Sequence, residues 1–216
     1  AEDGELSGNP VEHGRVDSVM GLVFHIKAHS SARCSYWIAA GTLLREARHI
    51  HRRIQENGVL HYLLKTTLYW RHWTKPLKTI SERLDGPYAK AFIRSGQLLK
   101  SHQDKHGAVI ASCDTTMLNY ERDSYAYCWP RDGAYVMWPL VRLGYHEEPL
   151  HFFNFIRRVM HEDGYVMHKY QPDGTVGASW HPYVHDNANI APIQEDETAI
   201  VVFFFGQYYS THQDRS

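Results

Sequence analysis

The spacing of the apolar residues changes at Thr42, and this change constrains the fold more than any other feature of the sequence. The apolar residues that follow it lie at intervals of four, three and four: Leu43, Ala47, Ile50 and Ile54. Such intervals place apolar side chains on one face of an α-helix. Thr42 suits the N-cap of this helix and Asn57-Gly58 suits its end. The pattern therefore predicts that the chain becomes helical after residue 41.

Helical spacing recurs in later stretches of the chain. The predicted helices cover residues 59–73, 87–99, 132–143 and 147–160, and a last one begins near residue 194. The last stretch is ambiguous, because Val201 to Phe205 are residue types that favour strands. Three acidic residues stand at its start, and negative side chains stabilise the N-terminus of a helix. We therefore expect a buried helix there.

The residues before Thr42 follow a different pattern. Residues 1–17 are polar, with Gly and Pro, and predict a loose lead-in. Residues 18–29 are rich in β-branched and apolar side chains, and residues 34–39 are a second candidate strand. Two strands alone are marginal in water, so we expect their sheet to continue upstream. The first residue is not Met, which suggests a fragment or a processed product.

Composition excludes several classes of protein. The chain has 23 basic and 24 acidic residues and a net charge of -1, so we expect no nucleic-acid partner and no polybasic membrane anchor. The longest apolar run, Ala199 to Phe205, is too short to span a bilayer. The acidic start lacks the pattern of a signal peptide. The three cysteines have no disulfide or metal spacing, which favours a reducing, cytoplasmic location without metal or cofactor.

Three segments combine aromatic and charged residues in a way that suits a saccharide. A sugar ring offers an apolar face to aromatic side chains and vicinal hydroxyls to Arg and Asp. The first segment contains Tyr125, Trp129, Arg131 and Asp132, the second Lys169 and Trp180, and the third Gln194 and Asp196. Each segment also has a structural explanation. Trp129 or Trp180 would pack in the core, Asp132 would cap a helix, and the third segment would form an acidic first turn.

Six segments, taken in this order, closely resemble the prokaryotic glucoamylase family, glycoside hydrolase family 15, which includes some trehalases and glucodextranases. They are residues 36–41, 108–112, 127–134, 163–170, 179–182 and 192–199. The resemblance covers about residues 20–209, and the order of the six segments makes it more specific than any one of them.

The resemblance implies a mainly α architecture. Residues 1–41 would be the end of an N-terminal β-sandwich, residues 42–83 a helical linker, and residues 84–216 the first part of an (α/α)6 toroid of the six-hairpin glycosidase type. The family releases glucose from the non-reducing ends of α-glucans with inversion, which requires one carboxylic acid and one carboxylate base. The implied partners are an oligo- or polysaccharide α-glucan and the remainder of the barrel.

The resemblance assigns contacts with the substrate and no catalytic residue. Trp129, Arg131 and Asp132 match the family's clamp on the terminal glucose, and Tyr125 lines the same subsite. Trp180 matches a tryptophan at the wall of the cleft. Lys169, Gln194 and Asp196 match polar positions nearby. The general acid and base are expected beyond Ser216, so the chain alone is expected to be inactive. A trehalase of the same family and a non-catalytic glucan-binding or regulatory module remain as alternatives.

Overall fold

The computed structural model describes residues 19–113, 125–177 and 184–212, with a few isolated positions before residue 14. The chain divides into two compact units, residues 1–66 and 67–216. In the described residues there are seven α-helices and one short β-hairpin. They are α1 (Leu44–Asn57), α2 (Val59–Trp73), α3 (Lys75–Ser81), α4 (Gly86–Ser101), α5 (Pro130–Arg142), α6 (Glu147–Val159), β1 (Val184–His185), β2 (Ala188–Asn189) and α7 (Glu195–His212).

In the first unit, the N-cap of α1 lies one residue later than the predicted cap, Thr42. Leu43 occupies the N-cap position. The Glu46 carboxylate reaches back to this end of the helix, where Oε2 accepts hydrogen bonds from the Thr42 N–H at 3.0 Å and the Thr42 hydroxyl at 2.8 Å. These bonds stabilise the ionised form, so the pKa of Glu46 is lowered. Thr42 therefore supports the start of α1 as a donor to Glu46, and it does not cap the helix.

The strands predicted at residues 18–29 and 34–39 do not form in the described residues 19–41. The Ser30 N–H instead closes a turn with the Lys27 carbonyl at 3.1 Å, and Val23 is 86% exposed. A strand needs a neighbouring strand that accepts and donates backbone hydrogen bonds. The β-branched residues of this segment favour extended backbone, but they do not provide that neighbour. The end of a β-sandwich at residues 1–41 is therefore not shown.

The second unit is organised around α5, which packs against α6 and α7, while α3 packs against α4. The core between these helices is apolar and aromatic. Its buried members include Leu77, Met137, Leu140, Phe152, Phe155, Phe204 and Tyr208. Gly133 allows α5 to approach α6 closely, because a Cβ atom at this position would collide with the Phe152 ring. The mostly helical architecture predicted for a partial toroid is confirmed, and the division at residue 84 stays a prediction.

The last helix, α7, confirms the helical prediction but is buried on one face only. Val201, Phe204 and Tyr208 are buried, whereas Val202 and Phe203 are 58% and 60% exposed. A helix turns through 3.6 residues, so neighbours on one side cover one stripe of side chains. The prediction of a buried helix is wrong for the other face. None of the described helices is long and apolar enough to cross a membrane.

Extended backbone between the helices brings distant segments side by side. Cys128 and Tyr170 exchange two backbone hydrogen bonds of 2.8 Å, and the Ala111 N–H donates to the Tyr127 carbonyl at 3.0 Å. The Gly177 N–H donates to the Lys169 carbonyl at 2.8 Å. These bonds place the start of α5 beside residues 168–170.

Candidate functional site

Arg131 joins the start of α5 to the start of α7. Its Nη1 donates to Gln194 Oε1 and to Asp196 Oδ2, each at 2.8 Å. Its Nη2 lies 3.8 Å from Glu197 Oε1. The hydrogen bond with Asp196, together with the neighbouring carboxylates, raises the pKa of Arg131. The Arg131 guanidinium therefore lies close to the side chains of Gln194, Asp196 and Glu197 at the start of α7.

Asp132 lies in the first turn of α5, and its side chain is 57% exposed. One of its oxygens is 4.0 Å from Arg131 Nε. Trp129 occupies the N-cap position of α5, so the structural explanation in which Asp132 caps this helix is wrong. The negative charge of Asp132 still lies at the positive end of the α5 dipole. Asp132 thus presents an accessible carboxylate beside the guanidinium.

Trp129 is part of an aromatic group and is only 6% exposed. Its ring centroid lies 6.0 Å from those of Tyr125 and Tyr127, and its indole N–H donates to His168 Nε2 at 3.4 Å. Tyr125 is 57% exposed. Tyr125 therefore offers accessible aromatic surface, whereas Trp129 is largely covered.

Lys169 is almost completely buried, although it carries an ammonium group. Its Nζ lies 4.2 Å from the centroid of the Tyr127 ring and 5.6 Å from that of Trp129, so the two rings face the cation. A Cβ atom at Gly177 would lie 2.9 Å from Lys169 Cγ and 3.0 Å from the Tyr127 ring. Gly177 therefore makes room for this Lys–Tyr contact.

Two residues that were not among the predicted site residues complete the group. Glu197 has an exposure of 0%, and its Oε1 is 3.2 Å from His168 Nδ1. Burial raises the pKa of Glu197 to about 8, although the charge of Arg131 opposes this shift. Burial also lowers the pKa of His168, as do the charges of Lys169 and Arg131. A signal for Glu197 existed: it is four residues before the buried Val201 and so shares its helix face.

A cavity of ≈ 520 Å³ adjoins this group. Arg131 and Asp132 line it together with the ring of Tyr135, and its remaining wall is largely apolar, with contributions from Leu98 and Val136. Its volume falls within the range of about 300–1,000 Å³ that small-molecule sites have. The combination of an apolar wall with a charged edge suits a ligand with both kinds of surface.

Seven of the eight predicted site residues are thus brought together in one region: Tyr125, Trp129, Arg131, Asp132, Lys169, Gln194 and Asp196. The eighth, Trp180, lies outside the described residues. Burial raises the pKa of the Cys128 thiol to about 12, so this cysteine is no nucleophile at neutral pH. In the described parts of the chain, no group of three or more His, Cys, Asp or Glu side chains is placed to hold a metal ion.

The family model described as "Glycosyl hydrolases family 15" matches residues 86–215, which include every residue of this group. A trehalase from Thermoplasma acidophilum is 28% identical over 148 residues, which cover 66% of this chain and 24% of the relative. A trehalase from Mycobacterium tuberculosis is 32% identical over 100 residues, which cover 44% and 14%.

An uncharacterized glycosyl hydrolase from Methanocaldococcus jannaschii is 26% identical over 112 residues, which cover 52% of this chain and 15% of the relative. The chain therefore spans about a quarter or less of the length of these curated relatives. No solved structure matches at a comparable level of significance.

Proposed function

Because the chain belongs to glycosyl hydrolase family 15, we propose that residues 86–215 hold the terminal glucose unit of an α-glucan for hydrolysis. One observation carries this proposal: the Arg131 guanidinium is fixed by Gln194 and Asp196 while it lines a cavity beside Asp132. A guanidinium fixed in this way is a preorganised donor, because its orientation is set before a ligand arrives.

The charged groups match the hydroxyls of a sugar. The carboxylates of Asp132 and Asp196 are 57% and 53% exposed and accept hydrogen bonds, whereas Arg131 donates them. Adjacent donors and acceptors are what a pair of vicinal hydroxyls requires. The exposed ring of Tyr125 offers apolar area to the C–H face of the sugar. Each hydrogen bond to a charged group contributes about 1.5–3 kcal/mol, which gives the site its specificity.

In this proposal the described residues bind and orient the substrate, and none of them is assigned as general acid or base. Inversion requires a carboxylic acid at the leaving oxygen and a carboxylate that activates water on the opposite face of the sugar. Glu197 is fully buried and next to His168, so it does not reach a glycosidic oxygen. The whole protein would release glucose from non-reducing ends, in the manner of a glucoamylase.

Hydrolysis of trehalose is the second candidate, and a specific observation favours it. Curated relatives from Thermoplasma acidophilum, Thermoplasma volcanium and Mycobacterium tuberculosis carry the name trehalase. Trehalose and α-glucans both end in an α-linked glucose unit, so a clamp on that unit fits either substrate. The two candidates differ in the sugar beyond the bond that is broken.

The test is calorimetric titration of the chain with maltose, trehalose and lactose. We expect maltose or trehalose to bind and lactose to bind more weakly, because its terminal sugar is a β-linked galactose. Arg131→Lys should weaken binding at least tenfold, since a single ammonium replaces a planar donor fork. Arg142→Lys, at the exposed end of the same helix, is the matched control and should bind normally. A folded chain that binds none of the sugars would contradict the proposal.

A further inference from the structure

The proposed contacts of Arg131, Asp132 and Asp196 with the sugar do not explain why Glu197 is buried. Glu195 and Asp196 share the first turn of α7 and are exposed, so they already supply the negative charge that a helix N-terminus favours. Glu197 has an exposure of 0%, and its Oε2 has no hydrogen-bond partner among the described residues. A buried carboxyl is costly unless its surroundings compensate for the lost water. We therefore expect the contacts of the other carboxyl oxygen of Glu197, Oε1, to explain why this side chain is buried.

The hydrogen atoms around Glu197 can be assigned from the partners of His168. The indole nitrogen of Trp129 only donates, so His168 Nε2, at 3.4 Å, accepts. A neutral imidazole carries one N–H, which then stands on Nδ1, 3.2 Å from Glu197 Oε1. The Gln194 side chain is a further hydrogen-bond partner of the His168 ring. Glu197 Oε1 accordingly accepts, and the Arg131 backbone N–H is a further hydrogen-bond donor to this carboxyl group. A series of hydrogen bonds thus links the side chains of Trp129, His168 and Glu197.

The same Glu197 oxygen also lies 3.8 Å from Arg131 Nη2. Trp129 and Arg131 are two residues apart at the start of α5. The buried carboxyl of Glu197 therefore lies beside Arg131 and is linked to Trp129 through His168. Asp196 and Gln194 hold the guanidinium through Nη1, and Glu197 lies on the Nη2 side. The orientation of the guanidinium therefore depends on contacts at both of its terminal nitrogens.

We infer that Glu197 is a positioning residue, which orients Arg131 directly and Trp129 through His168 and so sets the geometry of the saccharide site. The inference rests on the proposed function only for what the site binds. Burial raises the pKa of Glu197 to about 8, and a change in the charge of this carboxyl changes its attraction on Arg131. The other groups that act on this titration or lie beside it are Asp132 on α5, His168, Lys169 and Tyr170 on the adjoining segment, and Asp196 on α7.

The first experiment compares Glu197→Gln with Glu195→Gln, which removes one charge from the same turn of α7 at an exposed position. Maltose and trehalose affinities are measured between pH 6 and 9. Glu197→Gln should bind about tenfold more weakly and should lose an inflection near pH 8 that the unmodified chain and Glu195→Gln both show. Combining Glu197→Gln with Arg131→Lys should weaken binding less than the product of the two single effects. Identical pH profiles for all variants, or multiplicative effects, would overturn the inference.

The second experiment needs no saccharide and so separates the two proposals. The ring nitrogens of His168 are observed by NMR in chain labelled with ¹⁵N-histidine, and its signals are identified by their loss in His168→Gln. We expect an Nδ1–H tautomer and a shift with an inflection near pH 8, which disappears in Glu197→Gln. This result without sugar binding would support the contact and contradict the proposed function. An Nε2–H tautomer in the unmodified chain overturns the inference, even if Glu197→Gln does not fold.

Discussion

Arg131 Nη1 and Asp196 Oδ2 lie 2.8 Å apart and join two helix starts that are 65 residues apart in the sequence. The pair is partly exposed, with side-chain exposures of 30% and 53%. Exposed ion pairs contribute little to stability, about 0–1 kcal/mol. The Arg131–Asp196 pair therefore matters for geometry, because it holds the Arg131 guanidinium in a fixed direction beside the cavity.

Asp132→Asn should weaken saccharide binding by about 2 kcal/mol, or about thirtyfold, because a carboxylate that accepts from hydroxyls becomes a neutral amide. The melting temperature should change little, since Trp129 and not Asp132 occupies the N-cap of α5. Affinity and melting temperature are measured on the same preparation. Normal affinity with a lowered melting temperature would show that Asp132 is structural.

Trp73→Phe should lower the free energy of unfolding by about 1 kcal/mol, because the Glu148 carboxylate loses one of two donors and keeps Lys100 Nζ at 3.1 Å. The Trp73 indole N–H donates to Glu148 Oε1 at 2.7 Å, and Glu148 is 4% exposed. Trp70→Phe is the control, since Trp70 is partly buried against the same core and loses similar ring area. Urea unfolding measures both. Equal losses would mean that ring packing, and not the hydrogen bond, accounts for the effect.

Stability should fall as the pH rises from 7 to 8, and Glu197 is the reason. Burial raises its pKa from 4.5 to about 8, so between these values the folded chain keeps a proton that the unfolded chain has released. The free energy of unfolding then decreases with pH, by up to about 1.4 kcal/mol per pH unit for one proton. His168 has its pKa lowered from 6.5, so it is neutral in both states above pH 7.

The measurement is urea unfolding at several pH values, with Glu197→Gln as the comparison. The variant should show a smaller slope between pH 7 and 8, because the titrating carboxyl is gone. The same slope in both proteins would contradict the prediction.

Gly133→Ala should destabilise the chain by about 1–3 kcal/mol, because the added methyl group overpacks a close helix contact. A Cβ atom there would collide with the Phe152 ring, whereas a Cβ atom at Gly206 in α7 meets nothing within 4 Å. Gly206→Ala should instead stabilise α7 by about 0.5–1 kcal/mol through helix propensity. Thermal melting distinguishes the two. A Gly133→Ala variant as stable as Gly206→Ala would show that α5 and α6 do not approach so closely.

The uncovered face of α7 should bind a hydrophobic dye. Val202, Phe203 and Phe205 are 58%, 60% and 47% exposed, and a groove of ≈ 230 Å³ lies between α6 and α7. Exposed apolar surface of this kind favours association. Phe205→Glu should reduce dye fluorescence and the tendency to associate, whereas Glu82→Gln, an exposed position outside the lining of this groove, should not. Unchanged fluorescence in Phe205→Glu would place the dye elsewhere.

Local patterns predicted the helices well. The intervals between apolar residues located α1, α2 and α4 to α7 to within a few residues, except that α7 continues to His212. Helical hydrogen bonds join residues four apart, so the sequence nearby decides whether they form. Residues 18–29 show the opposite case, because a strand depends on a partner that its own sequence does not contain.

The sequence also determined which segments carry the candidate site, since aromatic and charged residues that suit a sugar are concentrated in three of them. It did not determine which of their side chains would be buried. Asp196 and Glu197 are neighbours with the same chemistry, yet Asp196 is 53% exposed and Glu197 is 0% exposed. One residue step on a helix is a rotation of about 100°, and only the packing of α5 and residues 168–170 against α7 decides which carboxyl that rotation buries.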